Sequence, residues 1–69
     1  MTSTELQKLA DSLNELSEKA RQKVADCGDQ ERNKVFAYSD LMNYFSTAFY
    51  NLSNASELLG SMEAKGETL

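Results

Sequence analysis

The chain contains no histidine and no proline, has one cysteine, and confines glycine to Gly28, Gly60 and Gly66. Each absence excludes something. Without histidine there is no common general base, no Ser-His or Cys-His nucleophile pair and, by ligand count, no plausible zinc site. With Cys27 alone, no intrachain disulfide can form. The lack of proline, with 41% hydrophobic and 26% charged residues, reads as globular and helical. Leu41 to Ser56 carries no charge, yet its seven Ser, Thr and Asn residues leave it short of a membrane span. The opening Met1–Glu5 stretch has neither a basic region nor an apolar core and does not read as a secretory signal. The expectation is a cytoplasmic, non-enzymatic protein without a cofactor.

Basic residues are also in deficit: seven Lys and Arg against eleven Asp and Glu, a formal net charge of −4. Nucleic-acid affinity comes largely from lysine and arginine displacing counterions from phosphates, so nucleic acid is not the expected partner. The acidic balance serves solubility. At 69 residues the chain makes one domain. In that size range a single core seldom supplies more than about 3–5 kcal/mol. With disulfide and metal set aside, a second chain is the remaining source of stability.

What is present is helical periodicity. Thr2 with Glu5, and Thr4 with Gln7, both fit a capping box that opens a first helix. Leu6, Leu9, Leu13, Leu16, Ala20, Val24 and Cys27 then form one narrow apolar stripe among charged and polar residues. Glu15 and Lys19 have the spacing of a surface ion pair. Gly28 is placed to end the helix as a left-handed cap, and Asp29 to open the next as N-cap.

The second helix carries two seams. Val35, Tyr38, Met42, Phe45, Phe49 and Leu52 form the first; Leu41, Tyr44, Ala48, Asn51, Ala55, Leu58 and Met62 form the second. At about 100° per residue they point roughly 110–120° apart, so one neighbouring helix cannot cover both. Pairing Leu6 with Leu52, Leu9 with Phe49, Leu13 with Phe45, Leu16 with Met42 and Ala20 with Tyr38 keeps one constant antiparallel register. A turn near Gly28 and Asp29 dictates that register. The expected fold is therefore all-α: an antiparallel two-helix hairpin over residues 1–69, completed as a four-helix bundle by dimerisation or by a partner helix. Its helices span about residues 4–27 and 30–59 or to 65, with a turn at about 28–30 and a frayed end from about 66.

Candidate chemistry is sparse. Cys27 lies on the apolar stripe at a helix C-terminus, where the dipole disfavours a thiolate, so it reads as packing. Asp26, Asp29 and Glu31 lack calcium-loop spacing. The aromatic cluster Phe36, Tyr38, Tyr44, Phe45, Phe49 and Tyr50 has no basic groove beside it, unlike a nucleic-acid stacking platform. Asn51, flanked by Ala48 and Ala55, matches a polar residue that fixes register in a helix–helix seam. The expected partner-binding residues are Leu41, Tyr44, Ala48, Asn51, Ala55, Leu58, Leu59 and Met62, and the expected partner is a second copy or a helical protein.

Gly28-Asp29 at the turn, followed by Val35-Phe36 early in the second helix, resembles the turn region of the co-chaperone subunits of type III secretion systems. The likeness covers only a short stretch around the turn. It implies a hairpin that helps mask an aggregation-prone needle subunit together with a second chaperone. The layout is also similar to Rop-type hairpins, which dimerise into four-helix bundles and bind RNA; the acidic balance runs against the RNA-binding part.

Overall fold

The computed structural model describes all 69 residues, the side chain of Asp29 excepted. Two helices, α1 (Ser3–Asp26) and α2 (Arg32–Ala64), pack antiparallel and are joined through a short 3-10 turn at Asp29–Glu31. Among the described residues there is no strand. The result is a rod of 55 × 13 × 12 Å. The expectation that Asp29 opens α2 as its N-cap is corrected: Asp29 begins the 3-10 turn, and the residue before α2 is Glu31, which makes no side-chain capping bond.

The start of α1 is the Thr2–Glu5 capping box. The Thr2 hydroxyl accepts from the Glu5 N–H at 3.2 Å, and the Glu5 carboxylate accepts from the Thr2 N–H at 3.4 Å. Two of the free donors at a helix start are thereby satisfied. The other end corrects an expectation. Gly28 is not left-handed: its φ is −86, and the helix stops because Cys27 already turns extended at φ −70, ψ 136. The Gly28 carbonyl then accepts from the Glu31 N–H at 3.0 Å, which closes the 3-10 turn leading into α2. The left-handed glycine is at the far end. Gly66 has φ 84, its N–H bonds the Glu63 carbonyl at 2.9 Å, and the Glu67 N–H reaches Met62 at 3.0 Å. That pair of bonds is a Schellman closure. Gly60 is carried through inside the helix.

The two helices meet along small residues. Ser3, Ala10 and Ser17 recur at every seventh position of α1, and Ser46, Ser53 and Gly60 do the same on α2. Ser17 and Ser46 share a hydrogen bond of 2.7 Å, and the Ser17 hydroxyl donates to the Met42 carbonyl at 3.3 Å. Nearer the chain ends, the Ser56 hydroxyl donates to the Ser3 carbonyl at 2.8 Å. A Cβ on Gly60 would lie 3.7 Å from the Ser3 hydroxyl oxygen, so the helices touch there at van der Waals distance. Ala10, Ser17 and Ser56 are buried in this seam. The buried Ser53 hydroxyl is left without a partner, because the spacing that pairs Ser17 with Ser46 puts Ala10, which offers no acceptor, at its level.

Larger side chains flank the small ones. Leu6 and Leu13 on α1, and Tyr38, Phe45 and Leu52 on α2, are half-buried, and Leu59 is buried. Among the described residues no large side chain is fully buried. The Ser17–Met42 and Ser3–Ser56 pairs fall within one position of the register expected from the leucines; Ser17–Ser46 lies a turn further along. At the open end the Glu63 carboxylate accepts from both the N–H and the hydroxyl of Ser3, so α2 caps the first turn of α1 from across the hairpin. An acceptor carrying negative charge suits that helix terminus. On the outside, the ion pairs formed among the described residues are Glu18–Arg21 at 3.6 Å and Glu31–Lys34 at 3.4 Å, rather than Glu15–Lys19. Exposed pairs of this kind contribute about 0–1 kcal/mol.

Candidate interaction surface

Helical geometry sends the second seam of α2 away from α1. Positions 42, 46, 49, 53 and 56 face the partner helix, and a residue two or five places on is turned far from that direction at about 100° per step. Tyr44 is 72% exposed and Leu58 65%, while Leu41, Asn51 and Ala55 are also exposed. Ala48 and Met62 are half-buried. Leu59 stands apart from these: at 6% exposure it is spent on the hairpin interior. The other seven residues form one row along α2, about 32 Å from Leu41 to Met62.

α1 extends this surface in a way the leucine periodicity hides. Leu9 and Leu16, expected on the buried stripe, are 47% and 40% exposed. The buried line of α1 runs instead through Ala10, Ser17 and Ala20. Leu9 and Leu16 therefore sit round the flank marked by Leu6 and Leu13, on the side of the hairpin where Tyr38, Phe45 and Leu52 flank α2. The opposite flank of α2, with Asn43, Tyr50, Asn54 and Glu57, is exposed and mostly polar. Tyr50 is the exception in size, and its ring tilts against Phe49 at 5.6 Å between centroids. The missed signal was the seven-residue recurrence of Ser3, Ala10 and Ser17, which marks the true centre of the interface.

The chemistry of the row is uniform. From Leu41 to Ser56 the helix holds no Asp, Glu, Lys or Arg, so a partner meets a strip without formal charge. Asn51 supplies the amide group within it and is exposed in the single hairpin. Charge lies at the ends: Arg32, Lys34 and Asp40 before the row, Glu57, Glu63, Lys65 and Glu67 beside and after it.

Cys27 is half-buried at the turn. Its thiol pKa is pushed up, first by desolvation, then by the charge of Glu31 and a hydrogen bond to it, with Lys34 pulling the other way. A thiol held in its neutral form is a poor nucleophile. The shallow hollows near the turn are lined largely by charged and polar side chains, among them Lys23, Asp26, Glu31 and Lys34. No helix among the described residues is long and apolar enough to cross a membrane. Comparison with protein families, with curated proteins and with solved structures finds no match for this chain.

Proposed function

We propose that the protein is a non-enzymatic interaction module of the cytoplasm, a small chaperone, adaptor or regulator, that works by burying the outer seam of α2 against another helix. One observation carries this reading. The large apolar side chains Leu41, Tyr44 and Leu58 are left on the surface, although among the described residues the hairpin has only Ala10, Ala20 and Leu59 as buried apolar residues. Exposed apolar side chains aligned along one helix face mark a contact site more often than a solvated face. The small Ala48 and Ala55 in mid-row let a second helix approach closely, and Asn51 then serves to fix its register. Addition of helices to this face makes a four-helix bundle. The resemblance to type III secretion co-chaperone subunits offers one concrete form of the role, in which the helix received belongs to a client or a fellow chaperone.

The variant Ala48→Glu tests the reading. A carboxylate in mid-row stays hydrated in a lone hairpin, but in a close helix contact it must be desolvated at a cost of several kcal/mol. Association should be lost while the helical circular dichroism signal is largely kept. Undiminished association by Ala48→Glu contradicts the assignment of this face.

A further inference from the structure

Resting on that reading, we infer that the helix received by the outer seam is the α2 of a second copy, antiparallel to the first, about a two-fold axis passing between Phe49 and Tyr50. Two independent features of the chain lead there.

The first is self-complementarity in size. Placing α2 against an antiparallel copy of itself about that axis sets Ala48 opposite Asn51, Tyr44 opposite Ala55, Leu41 opposite Leu58 and Ala37 opposite Met62. All eight positions are exposed or half-buried in the single hairpin, so all are free to make the contact. The bulkiest side chain meets an alanine, the flexible Met62 meets an alanine, and the two leucines meet each other. Alternation of large and small across facing positions is what interdigitating helix layers require. Each contact occurs twice, as an isologous interface demands.

The second is charge. Residues 18–40, the half that holds the turn, carry five of the seven basic residues and five acidic ones, a net charge of zero. Residues 1–17 and 41–69, the half that ends in the chain termini, hold two basic and six acidic residues, a net charge of −4. A parallel dimer stacks the two acidic halves on each other. The antiparallel dimer sets each acidic half against a turn half that carries no net charge. Lys34 and Lys65 form the one like-charged level, at the rim, where Lys34 already holds Glu31 at 3.4 Å. Charge arranged in this way selects orientation and opposes the wrong one.

Disulfide trapping between two differently marked chains reads the register directly. In a Cys27→Ser background, Tyr44→Cys and Ala55→Cys are prepared separately and then mixed under mild oxidation. In the antiparallel pair, position 44 of one chain faces position 55 of its partner. Two copies of position 44 lie eleven residues apart along the paired helices, about 16 Å, far beyond the ~7 Å Cα separation that a disulfide tolerates. The expected result is a covalent dimer in the mixture and none in either variant alone. Dimers formed by Tyr44→Cys alone and by Ala55→Cys alone, and no preference for the mixed species, overturn the inference in favour of parallel pairing. A wild-type chain that sediments as a monomer at every concentration also overturns it. The docking-face reading is then judged separately, by whether Ala48→Glu abolishes capture of a helical partner.

Discussion

The inner and outer seams of α2 invert the arrangement usual for an isolated domain. The inner one is narrow, small and hydroxyl-rich: Ser46, Ser53, Ser56 and Gly60 lie against Ser3, Ala10 and Ser17. The outer one carries Leu41, Tyr44 and Leu58 into solvent. Small residues let the helices come close, which gives dispersion contacts and hydroxyl bonds but removes little apolar area from water. Each net hydrogen bond adds only about 0.5–1.5 kcal/mol. The inner seam thus specifies how the hairpin pairs, and Leu41, Tyr44 and Leu58 are held in reserve on the outside. Specificity and stability are divided between two surfaces of one helix.

Adjacent residues on the two seams give the largest test of that division. Phe45 is half-buried toward α1, and its neighbour Tyr44 is 72% exposed. Phe45→Ala should cost about 2–5 kcal/mol in a chemical or thermal melt, whatever the protein concentration. Tyr44→Ala should leave dilute protein unchanged and lower stability only where wild type associates. Equal losses in dilute protein would erase the distinction between the seams. The next effect in size belongs to the inner seam itself. Ala10 is wholly buried where the helices meet, so Ala10→Leu overpacks the contact and should cost about 1–3 kcal/mol by circular dichroism.

How far the sequence disclosed all this depends on which residues carried the signal. The capping box was legible because Thr2 and Glu5 satisfy backbone donors by local chemistry alone. The hairpin was legible because apolar stripes on both sides of an apolar-free turn must face each other. Leu9 and Leu16 misled, since periodicity finds a stripe without finding its centre. The true centre is written in serine and alanine, residues that hydropathy treats as neutral and that matter here through their small volume. Gly28 misled for a related reason: a glycine after a helix permits a left-handed cap without requiring one, and Cys27 reaches the extended region first. The outer seam was legible as a row of residues. Its continuation through Leu9 and Leu16 of α1 was not, because it depends on how α1 is rotated in the pair.

Smaller effects sharpen the comparison at its ends. Gly66 closes α2 with φ 84, which an L side chain adopts at a cost. Gly66→Ala should therefore lower stability by about 1 kcal/mol and loosen hydrogen-exchange protection of the last turn, leaving the inner seam intact. The smallest effect is expected at Cys27. Its folded-state thiol pKa lies above the ordinary value through desolvation first and Glu31 next. The neutral thiol's contribution is thus fully present below the unfolded pKa and is lost as pH rises through the folded one. The difference in stability between wild type and Cys27→Ser should stay constant through neutral pH and change only in the alkaline range, and alkylation of native protein near neutral pH should be slow. Rapid alkylation there would give the thiol a reactive role.

The central claim is that the outer seam completes the fold by association, and the dependence of melting temperature on protein concentration tests it most directly. Burying Leu41, Tyr44 and Leu58 against a second copy couples association to folding, so mass action must raise the melting temperature as the chain is concentrated. Wild type is expected to melt higher at each step of concentration, while Ala48→Glu melts at one low temperature throughout. A wild-type melting temperature that stays constant across the series, at a value matching Ala48→Glu, contradicts the account.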